Sequence, residues 1–376
     1  MIKLEVSCFD WVEAGNKFFF FATEQNALCS IDRSTEELTV EYVCPGKRAN
    51  IYNPSKIIEC CDRLLFAPFN MEELFIYNPE SSSVQTIVFD SEEDRLNGYD
   101  VFRTQRFWTY YSFGKCVFLF GRHKAEIMQI DLESMDVSYY DNLDRLIADK
   151  GIIDTANNGF FFGNGCVTVG DHIYVAAANC SGIWRMSPDI SDLEFVPIDS
   201  EIPGFNAIAE YKGNIILTPI NKERPDILIW NADDHSSKVI DIGERSIWHK
   251  PIICKNDIYL FPGSPGGNVI KVDTSSFVCE RSDRLSGTLE PFMDAYFTAV
   301  KQIGNKVTFI RSCDSCWLTY DFESDELTEK YYRIEDEEYI SGYLKDYYDE
   351  VYERERQAGH ILSEDVIPFM EYLRRI

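Results

Sequence analysis

Seven times along the chain, a turn centred on Gly, Asn or Cys-Asp is followed at a nearly fixed distance by an apolar residue and then Asp, Asn or Ser. The marker pairs are Gly15 and Asp32, Cys61 (beside Asp62) and Asn78, Gly114 and Asp131, Gly170 and Ser187, Gly213 and Asn231, Asn256 and Asp273, and Gly304 and Asp321. The separation is 18 residues in the fifth pair and 17 in the others. A self-similar unit held to that tolerance is the mark of a repeat architecture.

Between the markers each unit reads as strand, turn, strand. In the first, Lys17 to Ala22 is an apolar run, Thr23 to Asn26 is polar, and Ala27 to Ile31 alternates until Asp32 stops it. Asn214 to Leu217 and Ile227 to Trp230 repeat the pattern around a loop ending at Arg224. Short β-rich runs bounded by such clusters are strands of hairpins. After the second marker comes a polar turn, as in Asp32-Arg33-Ser34-Thr35 or Asp131-Leu132-Glu133-Ser134, and a further strand opens at Leu38, Val84, Val137 or Leu327. Asp, Asn and Ser suit the first position of a type I turn because their side chains bond the backbone just ahead. One more strand precedes the first marker, as in Ile252 to Cys254 or Phe297 to Val300, which makes four antiparallel strands per unit.

From Asp32 to Asp321 is 289 residues, a mean period of about 48. The expected fold is therefore all-β, a seven-bladed β-propeller of four-stranded antiparallel blades, since radial repetition buries both faces of each small sheet. No helical periodicity is visible before about residue 335. From there Tyr339, Ile340, Tyr343, Tyr347 and Val351 fall on one face of a helix over Glu335 to Arg356, and Phe369, Met370, Leu373 and Ile376 on a second short one. The domains expected are residues 1–333 as propeller and 334–376 as a C-terminal helical extension.

Gly15-Asn16, Gly170-Asp171, Gly213-Asn214 and Gly304-Asn305, with Ile31-Asp32, Ile130-Asp131, Trp230-Asn231 and Val272-Asp273, resemble the turns of Kelch-like bacterial β-propellers of unassigned function. The resemblance covers roughly residues 8 to 332. It departs from true Kelch repeats in that the Gly-Gly doublet occurs once, at Gly266-Gly267. It implies an architecture and carries no activity.

A net charge of −27 argues against nucleic acid, whose phosphates need a positive face. No apolar stretch approaches the span of a bilayer, and Met1 to Glu5 lacks the regions of a signal peptide. The reading is cytoplasmic, with the twelve cysteines as small buried side chains rather than disulfides. Cys313-Asp314-Ser315-Cys316 has redox or half-zinc spacing, but it falls in a hairpin and has no matching second pair. Neither a metal nor a cofactor is expected.

The distances between units vary only in the connections assigned to one face, the two longest being Phe89 to Phe107 and Tyr140 to Phe160, and variation confined to one face of a repeat protein marks its working face. Counting back about eight residues from each first marker reaches the expected channel mouth. Arg106, Phe162, Phe205, Trp248 and Tyr296 stand there, with Tyr52 and Trp108 close by and Asn206 and His249 as polar neighbours. Aromatic rings with a few oriented polar groups suit a sugar or another small ligand, although the same rings also serve to pack blades together. Arg122-His123-Lys124, Lys222-Glu223-Arg224, Lys47-Arg48, Arg103 and Arg106 put positive charge on the same face of an acidic chain, which favours an anion. The candidate ligand contacts are thus Tyr52, Arg106, Trp108, Arg122, His123, Phe162, Asn206, Trp248, His249 and Tyr296. They describe a non-catalytic propeller that recognises a protein partner or a small ligand, carbohydrate-like or anionic. The alternative is a lyase or hydrolase with His249 or His123 as base and Arg106 or Arg122 steadying an anion.

Overall fold

The structure, a computed structural model, describes residues 4–22, 25–43, 54–68, 73–88, 107–122, 125–140, 143–150, 161–292 and 295–345. Among these residues the chain folds into seven successive four-stranded antiparallel meanders. The first consists of Trp11–Ala14, Lys17–Ala22, Ala27–Asp32 and Leu38–Val43. The others open with Pro54–Cys60, Phe107–Phe113, Phe162–Val169, Phe205–Tyr211, Ile252–Cys254 and Phe297–Ile303. Five are separate sheets, and the fourth and fifth join through a parallel bridge between Asn164 and Ala207.

In five of the seven units the two markers lock onto one another; in the second and fourth, Pro79 and Pro188 stand at the donor position and have no N–H to give. Gly15, Gly114, Gly170, Gly213 and Gly304 adopt positive φ at the first hairpin, the left-handed geometry that glycine enters without steric cost. At the second marker the side-chain oxygen of Asp32, Asn78, Asp131, Asn231, Asp273 or Asp321 accepts the N–H groups two and three residues ahead, at 2.7–3.3 Å. These bonds hold the Asp32 carboxyl down at about 2, Ser34 contributing most. The turns then meet: N–H groups of Arg33, Leu132, Thr274 and Phe322 donate to the carbonyls of Asn16, Lys115, Asn256 and Asn305 at 2.8–3.0 Å. A bond from one hairpin turn to the other leaves almost no room for a change of length between them.

The first strands of consecutive sheets face one another from the first to the sixth sheet. Side chains link the sixth to the seventh, His249 reaching Phe297 O at 2.7 Å, and the seventh to the first, Lys301 reaching Asp10 at 3.0 Å. The sheets therefore stand around a common axis. Their faces bury six apolar clusters, each spanning neighbouring sheets.

Contrary to the expectation of no helix before about residue 335, Leu143–Lys150 is helical, with Leu143 and Ile147 buried against the third and fourth sheets. The i, i+3, i+4 pattern of Leu143, Leu146 and Ile147 carried the signal, hidden by the polar residues between. A second short helix, Asp283–Ser286, also lies ahead of that point. The C-terminal helix is described over 337–345, where Ile340 and Tyr343 are buried and Tyr339 Oη–H donates to Gln25 O at 3.1 Å. The rest of the expected extension lies outside the described residues.

Closure between the last and first sheets rests on Trp317. Its ring lies 5.4 Å from Trp11 and 5.2 Å from Phe20, and its Nε1–H donates to Val6 O at 3.2 Å. Leu4–Glu5 pairs with Arg333–Ile334 over the same seam. Trp317→Ala should therefore cost about 3–5 kcal/mol in urea unfolding; a loss near that of an exposed residue would mean that the seam does not hold the molecule together.

Candidate functional site

A cavity of about 490 Å³ lies at the axis, walled by residues of, or directly ahead of, the first strands of six of the seven sheets. Asp10 and Trp11 come from the first sheet, Lys56 from the second, Trp108 to Tyr110 from the third and Asn164 to Cys166 from the fourth. His249 to Ile252 come from the sixth and Val300 to Gln302 from the seventh. Among the described residues the wall carries three lysines and one carboxylate. Asp10 is committed: Oδ1 accepts Trp11 N–H at 2.9 Å and Lys301 Nζ at 3.0 Å, and Oδ2 accepts Ile57 N–H at 3.2 Å. Burial opposes the charge on Lys301, yet Asp10 beside it holds its pKa above the ordinary value. Lys250 Nζ makes one long contact, 3.5 Å to Cys166 O. Lys56 has no hydrogen-bond or ion-pair partner among the described residues. Burial pulls its pKa down; Asp10 opposes this, while Lys301 and Lys250 add to it. Burial pushes the Tyr110 hydroxyl up to about 12, leaving it a neutral donor.

His249 is held by its tautomer. A carbonyl only accepts, so Nε2 carries the proton that bonds Phe297 O at 2.7 Å, and Nδ1 is left as acceptor. Burial lowers the imidazole to about 4; the Phe297 bond opposes this and Lys56 adds to it.

The candidates from the sequence part company here. Trp108 and His249 line the cavity. Arg122 stacks on the Trp108 ring at 3.8 Å, and burial lowers its guanidinium to about 9. Phe162 and Trp248 are fully buried, in the clusters between the third and fourth and between the fifth and sixth sheets, so their rings pack sheets and do not reach the cavity. Asn206 is buried as well, its Nδ2 donating to Trp248 O at 2.7 Å across the fifth and sixth sheets. Tyr296 is half-buried outside the cavity, its O accepting from Ser312 N–H at 2.9 Å and its N–H donating to Ser312 Oγ at 3.1 Å. Tyr52, Arg106 and His123 lie outside the described residues, as do Lys47, Arg48 and Arg103. Arg224 forms a bidentate pair with Asp226 at 2.7 and 3.0 Å.

Sequence reasoning missed Lys56, Lys250 and Lys301. They stand three to six residues ahead of Cys61, Asn256 and Gly304, and that common placement on or just ahead of the first strand was the available signal. In the Cys313–Cys316 hairpin Asp314 is bound by Arg311 at 2.7 and 2.9 Å, and Cys316 is buried. Among the described residues no group of three or more His, Cys, Asp or Glu side chains is placed to hold a metal, and no helix is long and apolar enough to cross a membrane.

No protein-family model and no curated protein matches the chain. Solved structures do resemble it. A catalytically inactive virginiamycin B lyase from Staphylococcus aureus with quinupristin superposes with a TM-score of 0.60 at 10% identity, over 83% of this chain and 96% of that one. A chain of the mitotic checkpoint complex gives 0.56 at 12%, over 89% and 91%. Apo AztD from Citrobacter koseri gives 0.50 at 11%, over 88% and 85%. At such identities the likeness concerns the fold alone: this is a β-propeller.

His249 titrates near its ordinary 6.5 when unfolded and at about 4 in the fold, so between those values the unfolded state binds more protons. Its contribution to stability is complete above about pH 6.5, declines as the pH falls, and is gone below about pH 4. Over that interval the wild type should lose about 2 kcal/mol more than His249→Gln, measured by urea unfolding. Parallel losses in the two proteins would show that the imidazole is not held neutral.

Proposed function

We propose that the seven meanders close as a seven-bladed propeller over residues 1–333, with 334–376 as a helical extension, and that the molecule binds a small anionic ligand in its axial cavity without transforming it. The observation that carries this reading is the pair of ammonium groups, Lys56 and Lys250, facing a cavity whose one carboxylate among the described residues is already bound to Lys301. Lys250 is exposed and solvated, whereas Lys56 is half-buried with its charge under-partnered, which is costly, and such a group is kept where a ligand supplies the counter-charge. About 490 Å³ also falls in the range of small-molecule sites.

Trp108 and His249 belong to this site with the lysines, and Arg122 supports Trp108 from behind. Tyr52, Arg106 and His123 stay candidates on their sequence positions alone. The cavity favours a small ligand over a protein partner, because its charges stand within the ring of first strands. The lyase or hydrolase alternative asks His249 to take a proton near neutral pH. A base lowered to about 4, with Nε2 committed to Phe297 O, is poorly matched to that task.

A thermal-shift screen at low ionic strength tests the reading. Small carboxylates or phosphates at about 100 times their Kd should stabilise the fold by about 2.7 kcal/mol, and Lys250→Gln should weaken that effect. Stabilisation by neutral sugars alone, or by none of the anions, would refute it.

A further inference from the structure

The charge inventory of the cavity goes further than its sign. Asp10 and Lys301 neutralise one another, and each also bonds backbone of the first or second sheet: Asp10 accepts from Ile57 and Trp11, and Lys301 donates to Trp11 O. That pair is part of the wall. His249 and Tyr110 are neutral near pH 7. Among the described residues two ammonium groups remain, half-buried Lys56 from the second sheet and exposed Lys250 ahead of the sixth, the latter making a 3.5 Å contact with Cys166 O. Both line the same cavity.

We propose that the axial cavity is matched to a small organic dianion, its charge shared between Lys56 and Lys250. This rests on the reading of the cavity as an anion site. A monoanion would leave one ammonium uncompensated, and the two like charges would still repel each other. A cavity of about 490 Å³ exceeds what a bare inorganic ion fills, and Trp108, Trp11 and Ile252 provide apolar wall for a carbon skeleton. Two sources share this chemistry, a short dicarboxylate and a phosphomonoester. Hydrogen bonds to the ligand body are available from Asn164 and Tyr110.

The test is calorimetric titration in low-salt buffer near neutral pH with succinate, glycerol phosphate, acetate and glucose. At least one dianion should bind about tenfold or more tightly than acetate, and the one that does identifies the source. Lys56→Met and Lys250→Met should each reduce that dianion to the level of acetate. The unliganded Lys56→Met protein should melt at or about 2 °C above the wild type, because the substitution removes an under-partnered charge; the melting curve also reports that the variant is folded. Acetate binding as well as both dianions, or a dianion affinity untouched by Lys56→Met, overturns the two-charge match and leaves the anionic reading standing. If none of the three anions binds, both fall.

Discussion

Every four-stranded sheet in this molecule has an inner edge, and the edge strands point their unpaired N–H and C=O groups at the axis. A buried backbone group without a partner costs as much as a lost hydrogen bond, and an open edge invites pairing with another chain. The structure answers junction by junction. Ile57 N–H goes to Asp10, Thr109 Oγ1–H to Gly163 O at 2.6 Å, Asn206 to Trp248 O, His249 to Phe297 O and Thr298 to Cys8 O, while Asn164 and Ala207 pair backbone to backbone. The second and third sheets instead pack Ile58 and Leu65 against Phe107 and Val117. Polar residues on the first strands are therefore mostly occupied by the architecture, and function falls to the ones left over.

This constraint separates two kinds of residue that look alike in the sequence. Asn206 and His249 seem to be the polar partners of aromatic ligand contacts, yet each satisfies a carbonyl of the next sheet. Lys56 and Lys250 look like ordinary solvated charges on strands and are the groups without a structural duty. A side chain at the axis is a better candidate for recognition the fewer backbone groups depend on it.

The repeat was legible because its cause is local. The bonded turns that close five of the units, such as Phe322 N–H to Asn305 O, constrain a segment of fixed length, and Asp, Asn and Gly betray both ends of it. The inward face was harder to read. The ladder between first and second strands shifts by one residue between Phe107 and Thr109, between Phe205 and Ala207 and between Phe297 and Ala299, and over a longer span between Phe162 and Cys166. A bulge of one residue exchanges the faces of a strand, so counting back from the turn by a fixed number lands on the core side. That is how Phe162 and Phe205 come to pack sheets while Trp108 lines the cavity and Asn206 and Thr298 bond carbonyls of the neighbouring sheet or the chain ahead of it. Bulges leave no composition signature, and nothing short of the fold reveals them.

The acidic surface gives the axial lysines their setting. A net charge of −27 repels polyanions such as nucleic acid and discourages acidic protein segments from approaching. That field decays over a Debye length of about 10 Å at 0.1 M salt. Lys56 and Lys250 act on a shorter scale, Lys56 half-buried among the sheets, where water screens it less than it screens the surface, and Lys250 exposed to solvent. A small anion that diffuses to the cavity thus meets attraction only once it is within reach of the ammonium groups. A large one is turned away by the carboxylates first. Selection by size and charge together needs no loop that closes over the site; it needs the positive groups to be few and gathered at one cavity, and the negative ones to be many and outside.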